Sequence, residues 1–352
     1  RSPSRGLGDV YKRQVELNGS RAGQASILAV IMMLFGFLIL VINQRTTSGR
    51  KSFTTVTGKS GQASVVNLGA MKYVLAVLFV CTTLFTGILP IILFAIETLL
   101  PNPGDYSFIT HGIQNNLTLK WWVTSENITE NGLYGNMGIL FNTTIWNAFK
   151  GTLIVAVCCA LTAGTIGTLV GYCVSKNRRS KWAGYVNNIA FLPYLMPSLG
   201  VGVAFFIFGS QLGIFNTFLL LILAGTVKYI PFASRSALNS MMQLSGEIEE
   251  AAIIQDIPWY KRMLRIIIPI QKTSIISGYL LPFMTCLREL TLFMLLCSQT
   301  KIITTMLDYF DEMGLYAFSS GINLLLILVI LIFNALVNKL TGASLDAGIG
   351  GK

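Results

Sequence analysis

Seven long apolar runs constrain this chain more than any other feature of its sequence. Each approaches the ~20 residues that an α-helix needs to cross a hydrocarbon core about 30 Å thick. Transmembrane β-strands would instead show segments of about 10 residues with alternating polarity, and these runs do not alternate. The sequence therefore predicts an all-α, polytopic membrane bundle, with spans near 25–43, 72–98, 148–173, 185–208, 214–233, 274–297 and 321–338.

The overall composition leads to the same class of protein. Hydrophobic residues make up 53% of the chain and charged residues only 12%, whereas a soluble domain carries about 25% charged residues. This charge is too sparse to cover a water-exposed surface. Lipid is therefore the predicted solvent for most of the chain.

The distribution of the basic residues argues against nucleic acid as a partner, although the net charge is +11. They recur in alternate loops, which the positive-inside rule assigns to the cytoplasm, and the C-terminus is then cytoplasmic as well. Loops 101–145 and 299–320 carry more acidic than basic residues and are predicted to face outward. In the first of these, Trp121 and Trp122 are predicted to anchor at the membrane interface. The basic residues of the alternate loops are Arg45, Arg50, Lys51, Lys59, Lys176, Arg178, Arg179, Lys181, Arg235, Lys261, Arg262, Arg265 and Lys272.

Neither a nucleotide site nor a metal site is legible in the sequence. Gly58, Lys59 and Ser60 end a pattern that resembles a phosphate-binding loop, but Phe53 stands where its first glycine belongs. The six cysteines lie within or at the ends of spans, without the spacing of metal ligands. A membrane-embedded enzyme is disfavoured because the only histidine, His111, lies in a loop and no paired carboxylates recur within spans. No cofactor is predicted, and any energy source must lie on another chain.

One charged stretch, "EIEEAAIIQDIPWYKRMLRIIIPIQK" at 247–272, interrupts the apolar runs. Glu247, Glu249 and Glu250 stand where acidic side chains stabilise the N-terminus of a helix. Ala251 and Ala252 follow them, and their small side chains are predicted to let a partner surface approach the helix closely.

A turn is predicted in the middle of this stretch. Ile257 precedes a proline and therefore disfavours the helical conformation, and Asp256 tolerates the left-handed region better than most residues. Beyond the turn, one helical face is apolar and the other basic. The apolar face consists of Tyr260, Met263, Leu264 and Ile267, and the basic face of Lys261, Arg262 and Arg265.

By itself this helix–turn–helix pattern leaves three interpretations open. The basic amphipathic helix could lie on the anionic inner leaflet. It could be an ordinary connector packed under the bundle. It could also be a handle through which a separate motor protein moves the membrane helices.

Residues 250–269, "EAAIIQDIPWYKRMLRIIIP", resemble the EAA motif of inner-membrane permease subunits of binding-protein-dependent ABC importers. That motif reads E-A-A, three residues, Gly, nine residues and I-x-L-P. Asp256 replaces the glycine and Ile268 the leucine. The residues in register are Glu250, Ala251, Ala252, Ile266 and Pro269.

The resemblance extends from about residue 25 to 350, and "FLPYLMPSLGVGVAF", "LREL" and "KLTGASLDAGIG" resemble iron(III)-type permeases in particular. Those permeases usually fuse two halves, and the first and last spans share one plan. We therefore expect the second half of a duplicated permease, preceded by the last helix of the first half. The expected organisation is a non-native leader at 1–14, that helix and a linker at 15–70, a MetI-like six-helix permease domain at 71–342 with its coupling loop at about 235–272, and a tail at 343–352.

The resemblance implies a non-enzymatic permease in the inner membrane that couples to ATP hydrolysis on other subunits. Glu250, Ala251, Ala252 and Asp256 would lie at the contact with a cytoplasmic ATP-binding subunit dimer. The other implied partners are an extracytoplasmic substrate-binding protein, a second permease half and membrane lipid. The implied substrate is iron(III), while polyamine, phosphonate, sulfate, molybdate and thiamine remain open, as does an ATPase-independent transporter or channel.

Several polar residues and prolines within the spans carry separate predictions. Arg288 and Glu289 either line the translocation path, pair between helices, or lie nearer the interface. Lys228 is predicted to extend its ammonium to the interface. Pro193 and Pro197 are predicted to kink the fourth span.

Overall fold

A computed structural model describes 31, 34, 35, 38, 42, 69–102, 106, 117–125, 137–178, 180–298 and 300–341. All regular structure within these residues is helical, which confirms the predicted all-α class. The predicted leader, the tail and most of the first span at 25–43 lie outside the described residues. The five isolated positions between 31 and 42 are helical and exposed, and the assignment of this segment to an earlier repeat stays a prediction.

The described helices differ widely in length. Four of them, α1, α3, α6 and α12, are long and apolar enough to cross a membrane, and the pairs α4–α5 and α8–α9 each qualify as one bent span. In chain order the helices are α1 (Met71–Glu97), α2 (Lys120–Val123), α3 (Thr143–Lys176), α4 (Lys181–Leu195), α5 (Ser198–Gln211), α6 (Phe218–Gln243), α7 (Gly246–Ile254), α8 (Trp259–Ile270), α9 (Lys272–Leu287), α10 (Thr291–Met294), α11 (Ile303–Glu312) and α12 (Tyr316–Thr341).

Two of these helices contain a widened π turn just before a proline. The turn of α1 is Leu84–Ile88, followed by Pro90. The turn of α8 is Met263–Ile267, followed by Pro269. Proline has no N–H for the preceding turn and clashes with its carbonyl, and a wider turn accommodates that loss without ending the helix.

The described chain divides into two compact bodies. The first consists of Gly151–Ser298, the end of α12 from Phe333 and the described positions between 31 and 42. The second consists of α1, α2, the start of α3, α11 and α12 up to Ile332. In the second body, Trp121 is only 4% exposed, and its indole N–H donates a 2.7 Å hydrogen bond to the Leu100 carbonyl. Its predicted role as an interface anchor is therefore wrong, because its ring belongs to a core with Phe310 and Phe318.

Within the first body, α3 and α6 approach each other at glycines. A β-carbon added at Gly167 would lie 2.5 Å from that of Ala233, and one added at Gly171 would lie 2.7 Å from that of Ala237. Small residues allow such close backbone contact between membrane helices. Helices α3 and α6 are therefore packed closely together along the C-terminal half of α3.

Two predicted spans are interrupted in the structure. The span predicted at 185–208 is two helices, α4 and α5, at 100° to each other. Pro193 lies inside α4, and the break falls at Met196 and Pro197, so the predicted kink is a break of the helix. The span predicted at 274–297 ends as a helix at Leu287 and resumes only as the short α10.

Candidate coupling site

The segment between α6 and α9 consists of α7 and α8. Helix α6 extends to Gln243, so this segment is shorter than the predicted 235–272. Ser245 caps α7, its hydroxyl accepting a 3.4 Å hydrogen bond from the Glu247 amide. Glu247 and Glu249 occupy the first turn, where carboxylates interact favourably with the helix dipole.

The turn after α7 is built by Asp256, which has a φ of +52°. The Asp256 amide donates to the Ile253 carbonyl at 2.9 Å, and the Ile257 amide donates to the Ala252 carbonyl at 3.1 Å. These two bonds form a Schellman motif, which normally uses glycine at the left-handed position. The predicted break is confirmed. Asp256 occupies the left-handed position that glycine usually takes in a Schellman motif.

The motif residues differ in exposure. Glu250 and Ala251 are exposed on α7. Ala252 is only 4% exposed, so the expectation that both alanines are open to a partner is wrong for Ala252, whose side chain packs within this chain. Ile266 is half-buried in the widened turn of α8, and Pro269 is exposed beyond it.

Glu249, which precedes the motif, is a buried carboxylate with partners on two helices. It accepts a hydrogen bond from the Tyr172 hydroxyl and forms an ion pair with Lys176, both on α3. The Arg262 Nε on α8 lies 3.8 Å from its Oε1, and the Arg262 Nη1 donates to the Ile257 carbonyl at 3.0 Å. Sequence reasoning missed this cluster. The available signal was the four-residue spacing of Tyr172 and Lys176 at the end of an apolar helix, which places them on one face.

The cluster keeps Glu249 ionised. Burial by itself would raise the pKa of Glu249, because it removes water from the carboxylate. The hydrogen bonds from Lys176 and Tyr172 and the charges of Lys176 and Arg262 outweigh burial and hold the pKa below its ordinary value.

Helix α8 rests on a narrower apolar stripe than its sequence predicts. Met263 and Ile267 are 4% and 1% exposed, whereas Tyr260 and Leu264 are 54% and 64% exposed. The buried pair joins one small apolar cluster with Tyr172, Met241 and Ile275. Of the four predicted apolar positions, only Met263 and Ile267 are buried in that cluster, so the rest of the predicted apolar face stays exposed.

Five of the large exposed apolar side chains of α7 and α8, all between residues 253 and 264, form a set that we call the apolar coupling set. Ile254 is 82% exposed and the most open of them. Exposed apolar groups concentrated in one segment mark a surface for a partner or for lipid. The members of the set are Ile253, Ile254, Trp259, Tyr260 and Leu264.

Arg288 and Glu289 lie at the break between α9 and α10, not within a helical span. Arg288 is exposed. The Glu289 Oε2 accepts a 3.0 Å hydrogen bond from the Tyr229 hydroxyl of α6, and its Oε1 accepts a 3.1 Å bond from the Leu292 amide. Glu289 therefore links α6 to the start of α10.

Lys228 contacts the end of α4. Its Nζ donates hydrogen bonds to the Pro193 carbonyl at 3.3 Å and the Met196 carbonyl at 2.5 Å. The ammonium thus satisfies carbonyls that the end of α4 leaves without helical partners, and its predicted extension to the interface stays a prediction.

Metal-ligating groupings are absent from the described residues: no three or more His, Cys, Asp or Glu side chains there could hold one ion. The buried carboxylate at Glu249 is occupied by cationic and hydroxyl side chains of the chain itself.

The chain is similar in sequence to a known permease. The chain is 23% identical over 322 residues to the ferric transport system permease protein FbpB of Actinobacillus pleuropneumoniae, a match that covers 89% of this chain and 44% of that protein. The chain thus spans less than half the length of that relative.

Two solved structures share the fold. One is an inward-facing structure of the MetNI methionine ABC transporter, with a TM-score of 0.50 and 14% identity over 56% of this chain and 94% of that chain. The other is a bacterial ABC transporter that imports the acidic polysaccharide alginate, with a TM-score of 0.54 and 16% identity over 77% of this chain and 95% of that chain. The predicted MetI-like architecture is confirmed at the level of the fold.

A family model decides the assignment. The model for the inner membrane component of binding-protein-dependent transport systems matches residues 163–343. This range contains the whole of α7 and α8. The chain belongs to the family of inner membrane components of binding-protein-dependent transport systems.

Proposed function

We propose that this chain is the transmembrane permease part of an ATP-driven importer and that α7 couples it to a cytoplasmic ATP-hydrolysing subunit dimer. The observation that carries the proposal is the construction of the α7–α8 segment. Its exposed side presents Glu250, Ala251 and the apolar coupling set, while its inner side is fixed by Glu249 and Met263. A segment held firmly on one side and open on the other suits the transmission of force from a docked partner.

The roles of the motif residues follow from their positions. Glu250 and Ala251 would contact the ATPase subunit directly, because both are exposed on α7. Ala252 and Asp256 would act indirectly by shaping the turn, and Ile266 and Pro269 by shaping the widened turn of α8. Movement of α7 would tilt the attached membrane helices and exchange inward-open for outward-open access.

Arg288 and Glu289 remain our proposed residues of the translocation path. Glu289 lies at a helix break and hydrogen-bonds to Tyr229 of α6. Charged residues and broken helices within membranes concentrate along solute paths. This supports a role in the path for the pair, with Arg288 as the exposed member.

The remaining partners are a second permease half and an extracytoplasmic substrate-binding protein. Two observations support a second half: the chain spans 44% of its ferric relative, and the apolar helix Met71–Glu97 has no buried position within its most apolar window. The organisation into 1–14, 15–70, 71–342 and 343–352 stays a prediction. For the substrate, iron(III) rests on the description of FbpB, and another small solute is the alternative.

A first experiment tests the orientation that the proposal requires, with the coupling segment and the C-terminus cytoplasmic. In a background with Cys81, Cys158 and Cys173 replaced by serine, Ile254→Cys should react with a membrane-impermeant maleimide only in inside-out vesicles. Met313→Cys, on the loop predicted to face outward, should react only in right-side-out vesicles. Labelling of Ile254→Cys from the outside would refute the proposal.

A second experiment tests docking with the native full-length permease and its ATPase subunits. Glu250→Ala and Ala251→Glu should lower ATP-driven iron(III) uptake while the protein remains in the membrane. Glu247→Ala, an exposed glutamate on the same helix, is the matched control and should retain uptake. Ala252→Glu is unsuitable, because it would bury a charge in the chain itself. Wild-type uptake in both test variants would contradict coupling through α7.

A further inference from the structure

We infer that Glu249 is a positioning residue that fastens the coupling helix α7 to α3, so that α3 moves together with α7. This inference rests on the proposed coupling to an ATPase. The chain itself joins α7 to α6 and α8 to α9. The contacts of Glu249 add a side-chain connection from α7 to α3. The resemblance to the EAA motif assigns no role to Glu249, Tyr172 or Lys176.

The burial of Glu249 is the first observation. A carboxylate loses hydration when buried, and this loss is offset only by charged or hydrogen-bonding partners. Interaction with the helix dipole would not require burial, and Glu247 and Glu250 on the same helix are exposed. Glu249 alone of the three is 6% exposed, and its buried position coincides with two donors on another helix.

The geometry of attachment is the second observation. Tyr172 binds Oε1 of Glu249, and Lys176 binds Oε2. Two donors from one helix, each on a different oxygen, restrict the rotation of the carboxylate as well as its distance from α3. The centroid of the Tyr172 ring also lies 6.2 Å from that of the Trp259 ring at the start of α8. Both α7 and α8 therefore contact α3 at Tyr172.

The route onward through the membrane is the third observation. Beyond Tyr172, α3 packs against α6 at Gly171 and Gly167 without room for a β-carbon. Further along, the hydroxyls of Thr162 and Thr226 are 2.5 Å apart. A displacement of α7 would therefore be carried by α3 and α6 together, since interlocked helices move as one body.

The experiment uses the native full-length permease with its ATPase subunits in proteoliposomes. Spin labels at Ile254→Cys on α7 and Leu161→Cys on α3, both exposed, report the distance between the two helices. Cross-linking of the same Ile254→Cys to the ATPase subunit tests whether α7 contacts that subunit. The distance from a spin label on the ATPase subunit to the label at Leu161→Cys reports the movement of α3 when the complex is trapped with ATP and vanadate. The background again lacks Cys81, Cys158 and Cys173.

Three variants are compared with wild type. Glu249→Gln removes the charge, and Tyr172→Phe removes one hydrogen bond while keeping the ring and its packing. The distance distribution gives the ratio of molecules with α7 held against α3 to molecules with α7 released from α3. Each variant should lower this ratio by about tenfold, the factor for one hydrogen bond to a charged group. Glu247→Gln makes the same chemical change at an exposed position and should leave the distribution unchanged.

The outcomes separate the inference from the proposed function. The inference is supported if both test variants still cross-link to the ATPase but show a smaller ATP-dependent movement of α3 than wild type, since the covalent connection from α7 to α6 remains. It is overturned if wild-type distances and movement persist in Tyr172→Phe. This variant keeps the packing of the ring, so it decides the question even if Glu249→Gln fails to assemble. A wild-type complex without the cross-link overturns the proposed function, and the inference with it.

Discussion

The ammonium of Lys228 lies 2.5 Å from the carbonyl oxygen of Met196, at the break where α4 meets α5. This contact explains how an apolar chain tolerates a 100° bend between two helices. A helix end leaves carbonyls without partners, and such groups are costly where water is absent. Lys228 supplies the missing donor, and the C-terminus of α4 provides a favourable field for its charge.

Replacing Lys228 should therefore destabilise the bend. We expect Lys228→Met to lower the free energy of unfolding by about 2 kcal/mol, the scale of a hydrogen bond involving a charged group. Thermal unfolding in detergent measures the change. Lys181→Met, at an exposed position at the start of α4, is the control. Equal unfolding temperatures for the two variants would contradict a stabilising role for the Lys228 contacts.

Asp256 should tolerate glycine better than any branched residue. Its φ of +52° lies in the left-handed region, where a side chain with a β-carbon costs roughly 1–2 kcal/mol and aspartate less. Asp256→Gly should therefore unfold close to the wild-type temperature, whereas Asp256→Val should lose about 1–2 kcal/mol. A valine variant as stable as the glycine variant would show that the turn is not held in this conformation.

Alanine should have opposite effects at two glycines, one inside the contact between α3 and α6 and one outside it. Gly171→Ala would place a methyl group 2.7 Å from the Ala237 β-carbon and the Leu238 backbone nitrogen, and should cost about 1–3 kcal/mol by overpacking. Gly184→Ala on α4 meets nothing within 4 Å and should be neutral or stabilising, since alanine favours helices. Differential scanning fluorimetry distinguishes the two. A neutral Gly171→Ala would show that the helices are not in such close contact.

The ion pairs of Glu249 predict a dependence of stability on acid. Because hydrogen bonds and nearby cations lower the pKa of Glu249 in the folded protein, its ionised form contributes stability above the unfolded pKa of about 4.3. That contribution is lost as the pH falls through the lower folded pKa. Wild type should therefore exceed Glu249→Gln in unfolding temperature by a constant margin from about pH 7 to pH 5.

The margin should then shrink in stronger acid. Unfolding temperatures measured across this range for wild type, Glu249→Gln and the exposed-site control Glu247→Gln provide the comparison. A margin that grows as the pH falls would show that Glu249 is protonated in the folded protein, contrary to its ion pair with Lys176.

The sequence alone determined the class of fold, the positions of most spans and the local shape of the coupling segment. Long apolar runs become membrane helices because every backbone polar group in lipid must be satisfied within the segment. The turn at Asp256 was predictable for a similar reason, since the proline at 258 and the left-handed tolerance of Asp256 act within a few residues.

Only the tertiary structure decided which side chains in that segment are buried and where two spans are broken. Helical periodicity places Tyr260, Met263, Leu264 and Ile267 on one face, yet only Met263 and Ile267 have a neighbouring cluster to pack against. Three glutamates lie together at the start of α7, and Glu249 alone is buried because Tyr172 and Lys176 reach it from α3. Such choices depend on groups far apart in the chain, whose approach no local pattern of residues reports.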